Sequence, residues 1–136
     1  MSTTKPLEGI KVIEISTIIT ASLAAMMLSD QGAEVIKIEQ TGFGDPLRYL
    51  GTQKGGISAI FANTNRGKRS IELDLKIKSD LEKAKKLISE ADVLINNFRP
   101  GVMDSLGLGK EDCKTLNKDL IYVAITGFGK EGPYAN

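Results

Sequence analysis

The chain has 136 residues, of which 41% are hydrophobic and 26% charged, and its formal net charge is +1. This size and composition are typical of one globular domain, and a charge so close to zero predicts neither nucleic acid nor an anionic membrane as a partner. Because the sequence contains no histidine, imidazole acid–base chemistry, Ser–His or Cys–His nucleophile pairs and most zinc sites are excluded, and no metal is expected.

The cysteine content and the N-terminus bear on the cellular compartment. Cys113 is the single cysteine, and the opening "MSTTKPLEG" lacks the apolar segment of a signal peptide. No apolar run approaches the ~20 residues that a membrane-spanning helix needs. We therefore expect a cytoplasmic protein that has no membrane partner.

The first predicted elements alternate between strand and helix. Residues 11–16, "KVIEIS", predict a strand, and residues 21–32 are rich in helix formers and end at Gly32, a typical C-cap residue. Residues 33–39 predict a second strand. The glycine-bearing stretch 40–56 predicts a long loop, and loops of this length are usually functional or disordered.

The alternation continues along the chain. A short helix is predicted over residues 57–65, and the alternating pattern of residues 68–75 predicts a third strand. Ser79 is expected to cap a helix over residues 80–91, whose apolar residues recur on one face. A fourth strand is predicted at residues 92–96.

The last predicted elements are a short helix over residues 110–118 and a fifth strand over residues 120–126. Strands that alternate with helices predict an α/β fold with an open, doubly wound, Rossmann-like and mostly parallel sheet. Because no helix follows the fifth strand, we expect residues 1–136 to be the N-terminal part of a larger domain, truncated after that strand. Such sheets bind ligands at the carboxyl ends of their strands.

The first turn bears on dinucleotide binding. Dinucleotide-binding domains carry G-x-G-x-x-G after the first strand, but this turn reads "STIITAS" and has no glycine. Glu39 ends the second strand. It is interpreted either as an acid that binds a ribose or as a solvated carboxylate at the strand end. NAD is therefore disfavoured, whereas Thr17, Thr20 and Ser22 at a helix N-terminus leave phosphate binding open.

Two further segments carry candidate binding residues. Four cations surround the third strand: Arg66, Lys68, Arg69 and Lys76. They form either a binding site for an anionic ligand or a charged rim at the start of the strand. After the fourth strand, "NNFRPG" offers an amide in Asn97, a ring that can stack in Phe98 and a phosphate-binding guanidinium in Arg99. The alternative is a buried Phe98 with Arg99 in a local ion pair. Together these strand ends suit a ligand with a planar base and several phosphates.

Two other residues are better explained by structure than by chemistry. Cys113 lies in a predicted helix without a histidine partner, which favours core packing. Asp45 precedes a proline in the glycine-bearing loop, and we interpret it as a turn former rather than an acid catalyst.

Six blocks of the sequence, in order, resemble the N-terminal third of the family III CoA-transferases. The same superfamily contains formyl-CoA transferase and the α-methylacyl-CoA racemases. The blocks cover essentially the whole chain and read "PLEGIKVIEIS", "LSDQGAEVIKIE", "GDPLR", "NRGKRSIELDLK", "ADVLINNFRPGVMDSLGLG" and "LIYVAITGFGKEGPYA".

The resemblance implies that coenzyme A binds over the strand ends of a Rossmann-like large domain. Matched position by position, its contacts would be Ile19, Thr20, Leu73, Asp74, Leu75, Lys76, Asn97, Phe98 and Arg99. Pro100 and Gly101 would fix the turn that presents the last three. Gln40 and Ser105 stand where some relatives carry arginines, so this chain departs from them at the nucleotide end.

The resemblance also implies the chemistry of the full-length protein. Transferases of the family use an aspartate nucleophile to move CoA from an acyl-CoA to a carboxylic acid, and two chains interlock as a homodimer. That aspartate would lie beyond residue 136, so we expect no catalytic residue in this chain and no activity from it alone.

Three functions stay open at this stage. The chain could belong to a CoA-transferase, to a racemase that uses a His–Asp pair, or to a truncated, non-catalytic paralogue that binds CoA or pairs with a full-length subunit. The long stretch between "GDPLR" and "NRGKRS" favours the transferase.

Overall fold

The computed structural model describes residues 4–135, which fold around one parallel β-sheet of five strands. Numbered with all other strands in chain order, its strands are β1 Lys11–Ile15, β2 Glu34–Glu39, β5 Arg69–Glu72, β6 Val93–Asn96 and β7 Ile121–Ala124. Their spatial order is β5-β2-β1-β6-β7, and all neighbouring strands are parallel. The chain therefore moves outward from β1 in one direction and then from β6 in the other. This creates a topological switch point between β1 and β6, where sheets of this kind bind ligands.

Helices cover both faces of the sheet. They are α1 Thr20–Asp30, α2 Ala59–Thr64, α3 Lys78–Ser89, α4 Val102–Ser105 and α5 Lys110–Leu116. Between β2 and α2 the chain forms a 3₁₀-helix, Pro46–Tyr49, and a small antiparallel hairpin of β3 Gln53–Lys54 and β4 Ile57–Ser58.

The core has two layers, because successive side chains of a strand point to opposite faces of the sheet. Val12 and Ile95 pack with Ala21 and Ala25 of α1 on one face. A larger cluster on the other face joins the sheet to α3 and α5 and includes Ile13, Leu94, Ile88 and Cys113. Helices on both faces of a parallel sheet confirm the predicted doubly wound, Rossmann-like α/β fold.

The structure confirms one predicted helix end and corrects another. Gly32 follows the last turn of α1 with φ +106°, a left-handed conformation that favours glycine. Ser79, in contrast, is not an N-cap, because α3 begins at Lys78 and its N-cap residue is Ile77. The neighbouring Asp80 ties down the incoming loop instead, since its Oδ2 accepts a hydrogen bond from the Asp74 N–H at 3.1 Å.

The stretch 40–56 is more ordered than the predicted long loop. It contains the 3₁₀-helix and β3, and the hairpin turns at Gly55 and Gly56, which both have positive φ. The four-residue helix α4 was not predicted, because so short a segment carries no helical periodicity.

Within residues 4–135, no helix is long and apolar enough to cross a membrane. Residues 4–135 also hold no group of three or more His, Cys, Asp or Glu side chains placed to bind a metal ion.

Candidate functional site

Two adjoining cavities lie at the carboxyl edge of the sheet, and together they form the candidate site. The first cavity has a volume of about 440 Å³ and is lined by the whole segment Leu73–Lys76 and by Phe98. The second, of about 730 Å³, is lined by Thr20, Asn97, Phe98 and Arg99. Phe98 therefore borders both cavities. Eight of the nine residues predicted to bind CoA line this site.

Ile19 is the predicted contact that lines neither cavity. It is the residue before α1, and 41% of its surface is exposed. Ile19 nevertheless directly precedes Thr20, which lines the second cavity.

The first cavity has an apolar floor and a polar rim. Ile15, Ile38 and Leu73 are buried at the strand ends, and Phe43 of the glycine-bearing loop also lines the cavity. The backbone after β5 is fixed by a turn in which the Asp74 Oδ1 accepts from the Lys76 N–H at 3.0 Å. This turn leaves the Lys76 side chain exposed at the rim, where a cation can meet an anionic ligand.

The second cavity is built by the turn after β6. The Val102 N–H donates to the Arg99 carbonyl at 3.2 Å, and Gly101 has φ +83°, a conformation that a β-branched residue would strain to adopt. Pro100 and Gly101 thus form the tight turn that was predicted to present Arg99. The Arg99 side chain is exposed and takes part in none of the ion pairs of residues 4–135, so that half of the alternative is wrong. Phe98 is partly buried against the larger core cluster, which bears out the other half in part.

Asn97 has its side-chain amide engaged with the first turn. Its Oδ1 accepts from the Thr17 N–H at 3.0 Å, and its Nδ2 donates to the Thr17 carbonyl at 2.7 Å and to the Thr20 Oγ1 at 3.1 Å. These bonds join the loops after β1 and β6 across the switch point.

The first turn does not form the open phosphate site that its hydroxyls suggested. The Thr17 amide is occupied by Asn97, and the Ile18 amide by Asp45 Oδ1 at 3.1 Å. Ser22 is fully buried, and its hydroxyl lies in a charged network beneath α1. The Thr17 amide and the Ser22 hydroxyl are therefore engaged within the chain, whereas Thr20 lines the second cavity.

That buried charged network joins β1, β2 and two loops. Glu14 and Lys37 face each other in register across β1 and β2, with Lys37 Nζ 2.6 Å from Glu14 Oε1. Lys37 Nζ also lies 2.9 Å from Asp45 Oδ2, and Lys68 Nζ lies 2.6 Å from Glu14 Oε2. Burial alone would raise the pKa of the Glu14 carboxyl, but the two ammonium groups outweigh it and lower the pKa.

Glu39 is buried too, which corrects both sequence interpretations of it. Its carboxylate receives two bonds of 2.7 Å from the Arg48 guanidinium, one from the Ser70 hydroxyl and one from the Asp45 N–H. Burial opposes ionisation, but these donors together lower the pKa of Glu39 to about 2. It is neither a solvated strand-end carboxylate nor an acid left open to a ribose.

The four cations around β5 do not form one anion site. Lys68 is buried against Glu14, Arg66 pairs with Asp30, and Arg69 lies 3.5 Å from Glu34. Only Lys76 of the four stands at the candidate site.

The two residues that were assigned structural roles keep them. Cys113 is fully buried in α5, and burial raises the pKa of its thiol to about 11. Asp45 is a turn former, because its Oδ1 accepts from the Leu47 N–H at the start of the 3₁₀-helix. Its burial and its contact with Lys37 were not predicted.

The family model described as "CoA-transferase family III" matches residues 7–136 of this chain. The acetyl-CoA:oxalate CoA-transferase of Acetobacter aceti is 42% identical over 96% of this chain, which corresponds to 34% of that protein. The human succinyl-CoA:glutarate CoA-transferase is 38% identical over 98% of this chain and 31% of its own length. The chain therefore spans about a third of the length of these relatives.

Solved structures show the same similarity. A CAIB/BAIF family protein from Brucella suis superposes with a TM-score of 0.92 at 42% identity, covering 98% of this chain and 36% of that one. Rv3272 from Mycobacterium tuberculosis superposes with a TM-score of 0.90 at 37% identity, covering 97% and 37%. A Serratia marcescens short-chain dehydrogenase/reductase variant, at 14% identity and a TM-score of 0.52, shares the fold alone.

The buried network predicts unequal effects of the same substitution at two positions. Glu14→Gln would leave Lys37 and Lys68 buried without their shared carboxylate, so we expect it to lower the free energy of unfolding by about 3–5 kcal/mol. Glu34→Gln removes the carboxylate of an exposed pair with Arg69 and is expected to cost less than about 1 kcal/mol. Urea unfolding followed by circular dichroism measures both values. Equal effects of the two substitutions would show that the network does not stabilise the fold.

Proposed function

The chain belongs to CoA-transferase family III, and on this basis we propose that it forms the N-terminal, CoA-binding part of a CoA-transferase. The observation that carries the proposal is the convergence of eight predicted contacts on two adjoining cavities at the carboxyl edge of the sheet. The contacts come from three separate segments of the sequence, which this strand order brings to one edge of the sheet. Residues 1–136 would then be the first part of the large domain.

The chemistry of the site residues supports a ligand with a flat ring and several anionic groups. Phe98 borders both cavities and can stack on a planar base. Lys76 and Arg99 are exposed cations, one at each cavity, that can form charge-assisted hydrogen bonds with phosphates. Coenzyme A carries both kinds of group. Gln40 and Ser105, which line the first cavity, would meet it there without a positive charge.

The first turn supports CoA over NAD. Its amides at Thr17 and Ile18 are bound by side chains of this chain, so they are not free to hold a pyrophosphate as the glycine-rich turn of a dinucleotide-binding domain does. Glu39 is held by Arg48 rather than left open to a ribose hydroxyl.

We propose that the full-length protein moves CoA from an acyl-CoA to a carboxylic acid. The two relatives described above are transferases by name, which supports this reaction over racemisation. An aspartate would attack the thioester carbon and expel CoA as a thiolate, forming a mixed anhydride. The thiolate would then attack the aspartyl carbonyl, release the first carboxylate and leave an aspartyl thioester. An acceptor carboxylate would repeat these steps in reverse order and leave with CoA.

The proposal places the nucleophile beyond residue 136 and the active protein in a homodimer. Among the described residues, Asp30 and Asp45 form ion pairs, and Asp74 and Asp92 accept hydrogen bonds from backbone N–H groups, which explains all four structurally. Asp104 is exposed in α4, and the proposal assigns it no chemical role. The apolar side chains Leu23 and Met27 are exposed on α1, which is consistent with further chain or a second subunit covering that helix.

Ligand preference provides the direct test of CoA binding. Because the first turn offers no free glycine-rich backbone and the cavities carry cations at their rims, we expect this chain to bind CoA more tightly than NAD. Isothermal titration calorimetry with each ligand measures the two dissociation constants. NAD binding of equal or greater affinity would refute the assignment.

The two exposed cations are expected to contribute to CoA affinity. If each forms a charge-assisted hydrogen bond worth about 1.5–3 kcal/mol, Lys76→Ala and Arg99→Ala will each lower the affinity for CoA about tenfold or more. Lys118→Ala and Arg69→Ala are matched controls, since these side chains are exposed but lie away from both cavities. Normal CoA affinity in both site variants would show that the site is mapped wrongly.

The position of the nucleophile can be tested by trapping. We expect this chain, incubated with an acyl-CoA and hydroxylamine, to turn over no CoA and to yield no modified aspartate, since hydroxylamine captures acyl-aspartyl intermediates. Mass spectrometry of the peptides detects the adduct. A stoichiometric hydroxamate on any aspartate, together with turnover, would place the nucleophile inside this sequence.

A further inference from the structure

We propose that Asp45 is a positioning residue, which holds the turn between β1 and α1 in the conformation that CoA requires. The inference rests on the proposed function, because Ile19 and Thr20 of this turn are proposed CoA contacts. Asp45 itself is not proposed to touch the reacting atoms. It would act through the backbone of Ile18, the residue just before these contacts.

The turn contains an unfavourable backbone conformation. Ile18 has φ +65°, and it is the one non-glycine residue with positive φ in the described part of the chain. A β-branched side chain rarely adopts this strained left-handed region. It persists only where surrounding contacts fix it, so the contacts around Ile18 decide the shape of the turn.

Two side chains from different loops provide those contacts. Asp45 Oδ1 accepts from the Ile18 N–H at 3.1 Å. Asn97 binds both the N–H and the carbonyl of the preceding Thr17, at 3.0 Å and 2.7 Å. The backbone on the N-terminal side of Ile18 is thus held from one direction by the loop after β6 and from another by the loop after β2.

Asp45 is itself held more firmly than a turn former needs to be. Only 1% of its surface is exposed, and its own N–H donates to Glu39 Oε2 at 2.8 Å. Its Oδ2 has no aligned hydrogen-bond donor and instead forms an ion pair with Lys37 at 2.9 Å. Lys37 is in turn fixed by Glu14 at the centre of the sheet. The bond to Leu47 explains a turn, but this chain of contacts explains a carboxylate that is buried and aimed at Ile18.

The effect on the ligand follows from populations. Without the bond from Asp45, Ile18 can relax to an ordinary conformation and carry Ile19 and Thr20 away from their positions. The affinity for CoA then falls in proportion to the fraction of molecules that keep the competent turn. Relief of the strain at Ile18 favours the relaxed form, so we expect a decrease of about tenfold.

The test combines a loss with a rescue. Asp45→Ala is expected to lower the affinity for CoA about tenfold. The double variant that adds Ile18→Gly should bind CoA with an affinity within about threefold of the unmodified chain, because glycine adopts positive φ without a penalty. A residue that only stabilises the fold would not be rescued at Ile18. Asp92→Ala is the matched control and should bind CoA normally, since Asp92 also accepts from a backbone N–H, that of Lys11, but at the opposite edge of the sheet.

Hydrogen exchange provides a second measurement, and its first part needs no variant because it is made on the unmodified chain. In the unmodified chain, the Ile18 amide should exchange slowly although it lies in a turn, and in Asp45→Ala it should exchange at least about tenfold faster. Rapid exchange in the unmodified chain would overturn the proposal, as would an unchanged CoA affinity in Asp45→Ala or a failed rescue. If the unmodified chain binds no CoA, the proposed function fails, and the exchange of Ile18 still decides whether Asp45 fixes the turn.

Discussion

The ion pair between Glu14 and Lys37 is the interaction on which the geometry of the carboxyl edge depends. Both side chains belong to central strands of the sheet and are almost wholly buried, so each needs a partner of opposite charge. Parallel register places them side by side, and their remaining charge is balanced by Lys68 and Asp45, which arrive from two different loops. The need to neutralise buried charge thereby fixes where those loops lie. A purely apolar layer beneath α1 would impose no such directional constraint.

The same balance decides which charges remain for a ligand. Lys37 and Arg48 are bound to Asp45 and Glu39, which line the first cavity, and Lys68 is bound to Glu14. The exposed Lys76 and Arg99 are the cations that line the two cavities in the described part of the chain. The count of basic residues near a site is therefore a poor guide to its charge, because buried carboxylates must be subtracted first.

The fold could be predicted from the sequence because apolar patterning and glycine positions report directly on local structure. The β-branched run of β1, the one-sided helix α3 and the left-handed Gly32 are all visible as short-range patterns. The prediction failed where contacts outside the short pattern decide the outcome. Ser79 matches an N-cap by type, but the helix begins one residue before it, and Asp80 is the residue whose side chain binds the incoming backbone.

Glu39 and Lys68 were misinterpreted for a related reason. Strand-end charges are usually solvated, and their burial here depends on partners such as Arg48 and Glu14, which only the folded chain brings close. Strand alternation predicts the carboxyl edge of the sheet as the place of the candidate site, and the resemblance supplied the individual residues, eight of which line the two cavities there. Neither source could indicate that Asn97 has its amide committed to the first turn.

These observations separate two tasks that charged residues perform at one edge of the sheet. Buried pairs are weakly screened and lock the loops, whereas exposed cations are free to reorganise and to exchange water for an anionic ligand. A site assembled in this way can hold a strained residue such as Ile18 because the locking charges are protected from solvent and salt. The consequence is that a substitution of an exposed charge at the cavity rim need not disturb the geometry of the turn. In this chain, then, the charges exposed at the two cavities can vary independently of those that shape the turn.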